Sequence, residues 1–365
     1  MRILHTESSS NWGGQEIRIL KEAEGLRDRG HEISFAVAPL AILGQKARQK
    51  GFAVYEVPMK KSQALLALVQ LRRILKDKEI DIVNTHSHSD AWLGGLAARI
   101  FGAKLIRTRH LSTKIRSGLN SRLLYKSLAD FVVTTSSCVI DMIANQSKMS
   151  RSQIKCIPTG LDLSSFKVDE NETARFKKMV VKEGEILVGT VCFVRSWKGI
   201  VDLLKAAKIV KASNPKVKWV IIGGGYYKEY LKYLEELDVK DVVTFTGHLE
   251  SPYSAMAALD VFLLLSTAHE GISQAAIQAA YLGKPQITTD VGGLPELCLH
   301  GETGFIVPKF SPEKVAQAVL DLAHNPELRE EMGHKGHQLV KENFLLSKTL
   351  DQMESVYQYL CGPIR

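Results

Sequence analysis

Short apolar runs that end in glycine-bearing turns constrain this chain more than any other feature. Asp260-Val261-Phe262-Leu263-Leu264-Leu265 is one, and Lys218-Trp219-Val220-Ile221-Ile222, closing on Gly223-Gly224-Gly225, is another. A strand that is apolar at successive positions, rather than at alternate ones, is buried on both faces, which is the situation of a parallel sheet covered by helices. Ile33–Ala38, Ala53–Pro58, Ile80–Thr85, Phe131–Thr135 and Ile186–Phe193 read the same way. Between such runs the apolar residues take helical spacing, as in Ile17, Leu20, Ala23 and Leu26 closed by Gly30, or Leu65, Leu68, Leu71 and Leu75. Strand and helix alternating at roughly 25–30 residues is the pattern of a doubly wound α/β sheet.

At 365 residues the chain suits two domains of ordinary size. No stretch reaches the roughly 18 consecutive apolar residues of a spanning helix, and Arg2-Ile3-Leu4-His5 is too polar for a secretory signal. The five cysteines are scattered without a CxxC pair, which argues against a disulfide framework or a zinc site. A cytoplasmic setting is expected. Charge is uneven: 25 Lys+Arg against 13 Asp+Glu through Cys156, and 23 against 26 from Ile157 onward. A basic first half beside a near-neutral second half points to an anionic partner for the first, such as a membrane surface or a lipid phosphate. The aromatic interleaving of a nucleic-acid module is missing, so nucleic acid is not expected.

Several turns carry polar chemistry where ligands bind in such sheets, at the carboxyl ends of strands. Gly13-Gly14 follows the first strand, and glycine lets backbone approach a ligand closely. His86-Ser87-His88-Ser89-Asp90 reads as a polar loop after the Ile80–Thr85 strand; one segment offers no third distant ligand, so no metal is expected. Lys104–Thr113 is a strand running into a cationic loop with His110 at its end, continued by Lys114 and Arg116, and Leu119–Leu128 reads as a surface helix of the kind that lies on a membrane. After the Asp260–Leu265 run come Ser266-Thr267-Ala268-His269-Glu270-Gly271-Ile272-Ser273-Gln274 and a small-residue helix ended by Gly283 and Pro285. A carboxylate at the mouth of a phosphate-friendly turn implies a partner with hydroxyls as well as phosphates, which a nucleotide-linked sugar supplies. Gly301–Pro308 reads as a hairpin-like end strand.

The stretch from Ser266 to Pro285 resembles the donor signature of glycosyltransferase family 4, retaining enzymes with the GT-B fold. The family carries a Glu, seven residues, then a second Glu; here the positions are Glu270 and Gln278, so the second acid is replaced by its amide. Pro158-Thr159-Gly160-Leu161-Asp162 is similar to the family's hinge, and Gly13-Gly14 match its first glycine pair. The resemblance implies two Rossmann-like doubly wound α/β domains facing across a cleft. Residues 1–163 would form the acceptor-side domain, 164–345 the nucleotide-sugar donor domain, and 346–365 a C-terminal helix packing back on the first.

It further implies a hexosyl transfer from a nucleoside diphosphate sugar to a glycan or lipid-linked acceptor, independent of metal and cofactor. The setting would be lipopolysaccharide or surface-polysaccharide synthesis at the inner face of the membrane. Glu270, His110, Arg195 and Lys198 would be catalytic. The family's phosphate-holding Arg stands five residues before the Lys, at Phe193 here, and the role passes to Arg195 because strand side chains alternate. Gly13, Gly14, Gly223, Gly247, His248, Gly271, Ile272, Ser273 and Gln278 would contact the donor. His86, Arg109, Lys114 and Arg116 would face the acceptor, with Arg107 a further cation for a phosphorylated one. The alternatives are a GT-B nucleotide-sugar epimerase or phosphorylase, or a nucleotide-sugar-binding subunit without catalysis, which Gln278 and Phe193 leave open.

Overall fold

The computed structural model describes residues 1–110 and 115–362. The chain divides into two compact units, Met1–Gly160 with Leu346–Arg365, and Leu161–Leu345.

The first unit is built on seven parallel strands: β1 (Arg2–Glu7), β2 (Glu32–Val37), β3 (Ala53–Glu56), β4 (Ile82–Thr85), β5 (Lys104–Arg109), β6 (Phe131–Thr134) and β7 (Ile154–Cys156), ordered β3-β2-β1-β4-β5-β6-β7. The second has six: β8 (Ile186–Val191), β9 (Val217–Ile222), β10 (Val243–Gly247), β11 (Val261–Leu264), β12 (Gln286–Thr288) and β13 (Gly304–Ile306), ordered β10-β9-β8-β11-β12-β13. Both are doubly wound, and in both the strand order reverses beside the first strand, between β1 and β4 and between β8 and β11. Chains leave the sheet there toward opposite faces, which opens a crevice at the strands' carboxyl ends.

Side chains of both faces of each sheet are buried. Ile3, Phe35 and Ile82 pack with Ile19 and Leu26 of the Gly14–Asp28 helix, and Leu4, Val83 and Val132 pack on the opposite side with Ala67, Leu71 and Ala97. The C-terminal helix Leu346–Cys361 completes the first of these layers with Leu350, Met353, Val356 and Tyr357, all buried. In the second unit Trp219, Ile221 and Leu263 meet Leu203 and Leu204 on one face, while Phe262 and Leu264 meet Ile277 on the other.

Three segments differ from their sequence reading. His88 and Asp90 are not loop residues: the helix starts at His88, capped by Ser87, whose backbone N–H donates to Asp90 three residues on. Leu119–Leu128 is a single α turn followed by wider π turns over Arg122–Leu128, with Leu124 and Tyr125 buried. Gly304–Ile306 is no hairpin strand; it pairs parallel to β12 at the sheet edge.

Candidate functional site

In the second unit the strand order places the ends of β8 and β11 side by side, and the turns that follow them meet. The chain leaves β8 through Cys192–Val194 into a short turn at Ser196–Lys198, then enters the Ile200–Ser213 helix at Gly199. It leaves β11 through Ser266–Ser273 into the Gln274–Tyr281 helix. The Thr267 N–H donates to the Trp197 carbonyl at 2.8 Å, tying the two turns together. Lys198 Nζ donates to Glu270 Oε1, and Ser266 Oγ donates to the same oxygen at 2.6 Å. Both ion-pair partners are largely withdrawn from water, their side chains 16% and 8% exposed, so the attraction is stronger than a surface pair's.

Gly199 and Gly223 are glycines for steric reasons. A Cβ at Gly199 would lie 2.1 Å from the Leu265 carbonyl oxygen with φ at +67°, and one at Gly223 would lie 1.9 Å from the Cys192 carbonyl oxygen with φ at +137°. Backbone is thereby drawn close around the β8 end. Gly223 N–H donates to the Gly247 carbonyl, and the Gly224 turn lies against His248. Cys192 is half-buried, and desolvation pushes its thiol up to about 11, so it stays protonated at neutral pH and is no nucleophile.

Arg195 is exposed and lies beside two rings, its Cζ 4.7 Å from the centroid of Phe193 and 5.3 Å from that of Trp197. The aromatic residue at the position two before it is therefore a platform for the guanidinium. Ile272 is buried, Gly271 accepts from the Gly293 N–H, and Ser273 is the helix N-cap. Gln278 stands half-buried on that helix.

In the first unit the crevice between β1 and β4 gathers three imidazoles that were far apart in sequence. His5 Nδ1 and His86 Nε2 are 2.9 Å apart, and His86 Nδ1 and His110 Nε2 are 3.0 Å apart, with adjacent rings 5.2 Å between centroids. Burial pushes all three pKa values down: His5 to about 4, His86 and His110 well below the ordinary value, with the Arg18 guanidinium adding to the effect on the latter two. Arg18 is itself buried and pairs with Glu22.

Neutral imidazoles donate from one nitrogen and accept at the other, so the chain has two orientations, and the three rings switch only together. His5 Nε2 has no partner. Protons on Nδ1 throughout leave a lone pair there rather than an orphaned N–H, the rarer and costlier case. This orientation makes His110 Nδ1 a donor.

Beside this chain Asp90 accepts from Thr6, Ser8 and the N–H groups of His86 and Ser87, and burial raises its pKa. Glu7 is pushed up to about 7 by desolvation and by Asp90. Gly13 N–H donates to Glu16 of its own helix at 2.9 Å, and a Cβ on Gly14 would meet nothing within 4 Å. His86, Arg107, Arg109, His110 and Arg116 line a cavity of about 520 Å³. Lys114 lies outside the described residues. Among those described, no group of three His, Cys, Asp or Glu side chains is placed to hold a metal ion, and no helix is long and apolar enough to cross a membrane.

Sequence reading missed His5 and Arg18 as members of these clusters, and placed Ser266 in the donor stretch without a role. Only Ser87-x-x-Asp90, a capping-box pattern, had a local signal.

Two Rossmann-like units, each with a cluster of polar side chains at the strand-order reversal, fit the GT-B architecture. The structure of Anabaena HepE in complex with UDP matches it with a TM-score of 0.88 at 20% identity, over 98% of this chain and all of that one. The sequence profile described as Glycosyltransferase Family 4 matches residues 12–165, and that of Glycosyl transferases group 1 matches 171–339. The chain belongs to the family 4 glycosyltransferases of GT-B fold. It is similar to the capsular polysaccharide biosynthesis glycosyltransferase CapM of Staphylococcus aureus, 25% identical over 82% of this chain and 83% of that protein. It is equally similar to the N-acetyl-alpha-D-glucosaminyl L-malate synthase of Bacillus anthracis, 25% identical over 94% and 93%.

Proposed function

We propose that the protein moves a hexose from a nucleoside diphosphate sugar, held by the second unit, to an acceptor received by the first, with retention at the anomeric carbon. The observation that carries this reading is the Lys198–Glu270–Ser266 cluster at the β8/β11 reversal. A cation and a carboxylate held together there match a ligand that offers phosphate to one and sugar hydroxyls to the other. With donor bound, Lys198 and Arg195 neutralise the diphosphate, and Glu270 accepts from the sugar's hydroxyls. The UDP complex of HepE supports a uridine nucleotide as the leaving group.

In the reaction the bond between the anomeric carbon and the diphosphate oxygen breaks, and the acceptor oxygen bonds to that carbon from the same face. The acceptor's hydroxyl proton passes to the departing phosphate oxygen, and nucleoside diphosphate leaves. No protein nucleophile is required, in keeping with the protonated Cys192 thiol. Fixed cations facing the leaving group stabilise its developing charge without reorganisation, so the step needs no metal. His110, held neutral, donates through Nδ1 to a substrate hydroxyl.

The working place is the cytoplasmic face of a membrane, in synthesis of a surface polysaccharide or lipopolysaccharide; the likeness to CapM supports the first. Leu65, Leu119 and Leu123 are exposed on the basic first unit, a composition that suits a peripheral contact with anionic lipid. Incubation with UDP-sugars, reading UDP release and product anomer, tests the reaction. Release with retained configuration, lost in Lys198→Met, is expected; an inverted product or an active Lys198→Met variant refutes it.

A further inference from the structure

The 520 Å³ cavity of the first unit lies within the ~300–1,000 Å³ span of small-ligand sites, and its charge is one-sided. Three guanidiniums, Arg107, Arg109 and Arg116, line it, and among the described residues no aspartate or glutamate does. A protein surface that needed only solubility would interleave both signs.

Arg107 is the telling residue. It is only 6% exposed, yet among the described residues its Nε has no hydrogen-bond partner, and its Nη1 reaches the Ser87 carbonyl only at a long 3.3 Å. Burying a guanidinium with an unsatisfied N–H is costly unless a partner arrives. The Asp90 carboxylate interacts electrostatically with Arg107, but its oxygens accept from neutral donors on Thr6, Ser8, His86 and Ser87.

Tyr125 fixes the geometry. Arg107 Cζ stacks 4.9 Å from its ring centroid, and Arg109 Nη1 donates to its hydroxyl at 2.6 Å. Burial pushes that hydroxyl's pKa up, and the two guanidiniums outweigh it and bring it below the ordinary value. Two planar donors are thus held by one ring, as bidentate recognition of an oxyanion requires. Trp92, Ile115 and Leu124 add apolar lining to the same cavity.

We propose that this cavity binds an anionic group of the acceptor, a phosphate or a carboxylate, with Arg107 and Arg109 as its principal donors and Arg116 at the exposed mouth. The proposal rests on the reading of the first unit as the acceptor side, and narrows it: a neutral glycan end is not what this cavity selects. The apolar walls take the non-ionic remainder of the molecule.

The test is calorimetric titration of the whole protein with inorganic phosphate, glucose 6-phosphate, L-malate and glucose, and separately with UDP. Binding of glucose 6-phosphate or of L-malate is expected, with glucose silent. The stronger of the two, together with the inorganic phosphate response, identifies phosphate or carboxylate as the group. Arg107→Gln should weaken that binding about 10–100-fold, the loss of a charge-assisted hydrogen bond, and leave UDP affinity unchanged. Because Arg107 is buried, exposed Arg116→Gln provides a second variant with little risk to folding; it should weaken anion binding several-fold at low salt and lower the salt sensitivity of that binding.

Failure of every anion to bind while UDP binds overturns the proposal and spares the proposed function. Anion binding unchanged in both Arg107→Gln and Arg116→Gln overturns it as well. Anion binding without any UDP response would instead sink the donor reading and leave this cavity standing.

Discussion

Replacing His5 by Phe isolates the energetic cost of keeping the imidazole chain uncharged. The aromatic ring retains the stacking on Phe35, whose centroid is 5.6 Å away, and removes the ionisable group. His5 has a folded pKa of about 4 against 6.5 when unfolded, so between these values the unfolded chain binds the extra proton. Stability therefore falls as pH falls through that window, and levels off below pH 4. At pH 7 the contribution is nearly nil; at pH 5 it amounts to about 2 kcal/mol of destabilisation. Glu7 acts in the opposite sense: its pKa of about 7 in the folded protein makes the folded state the better proton binder above 4.5. A wild-type profile mixes the two, and the difference between wild type and His5→Phe removes Glu7 from the comparison.

The assay is amide hydrogen exchange of Ile3–Glu7, corrected for intrinsic rates, at pH 7 and pH 5, which reports opening of the first unit without assuming two-state unfolding of the whole chain. His5→Phe should cost about 1 kcal/mol at pH 7, because His86 Nε2 loses its partner. It should recover about 2 kcal/mol relative to wild type on going to pH 5. Parallel pH dependences in the two proteins would refute the argument that this ring is buried neutral.

Lys198→Met and Glu270→Gln should each destabilise the second unit by about 3 kcal/mol, and the double variant by less than their sum, since each single change strands a partly buried partner; additive urea midpoints would deny the coupling. Gly223→Ala should cost about 3 kcal/mol or more, because its Cβ has no room beside the Cys192 carbonyl and φ is unfavourable, and a melting temperature equal to wild type would contradict this. Gly14→Ala, in open space at the first position of its helix, should be neutral or stabilising by up to about 1 kcal/mol. If the turn hugs a ligand it should nonetheless lower turnover, and full turnover would strike Gly14 from the binding residues. Gln278→Glu should change UDP-sugar affinity measurably by calorimetry if that side chain meets the ribose; an unaltered affinity removes it from the site.

The alternating strands and helices were legible because a parallel sheet imposes continuous apolar runs, and those runs survive in sequence as Ile33–Ala38 or Phe262–Leu265. Strand order was not, since no local property of β1 says that β4 will lie beside it. This is why His86 and His110 stood as separate loop residues, and why His5, flanked by Leu4 and Thr6 within a strand, drew no notice. The same holds for Lys198 and Glu270: a resemblance named both, but their contact follows from β8 and β11 being neighbours. At Leu119–Leu128 the apolar spacing does not show that the turns widen, and those turns carry both Leu124 and Tyr125 into the core.

The helix Leu346–Cys361 supplies Met353 and Tyr357 to a layer otherwise made by the Met1–Gly160 segment. During synthesis the ribosome delivers those residues only after the intervening Leu161–Leu345 unit. The N-terminal unit must then wait with Ile19 and Leu26 uncovered, while the later-made unit reaches its finished form first. Order of manufacture and order of completion are reversed, and a chaperone that shields nascent apolar surface has its natural task in that interval.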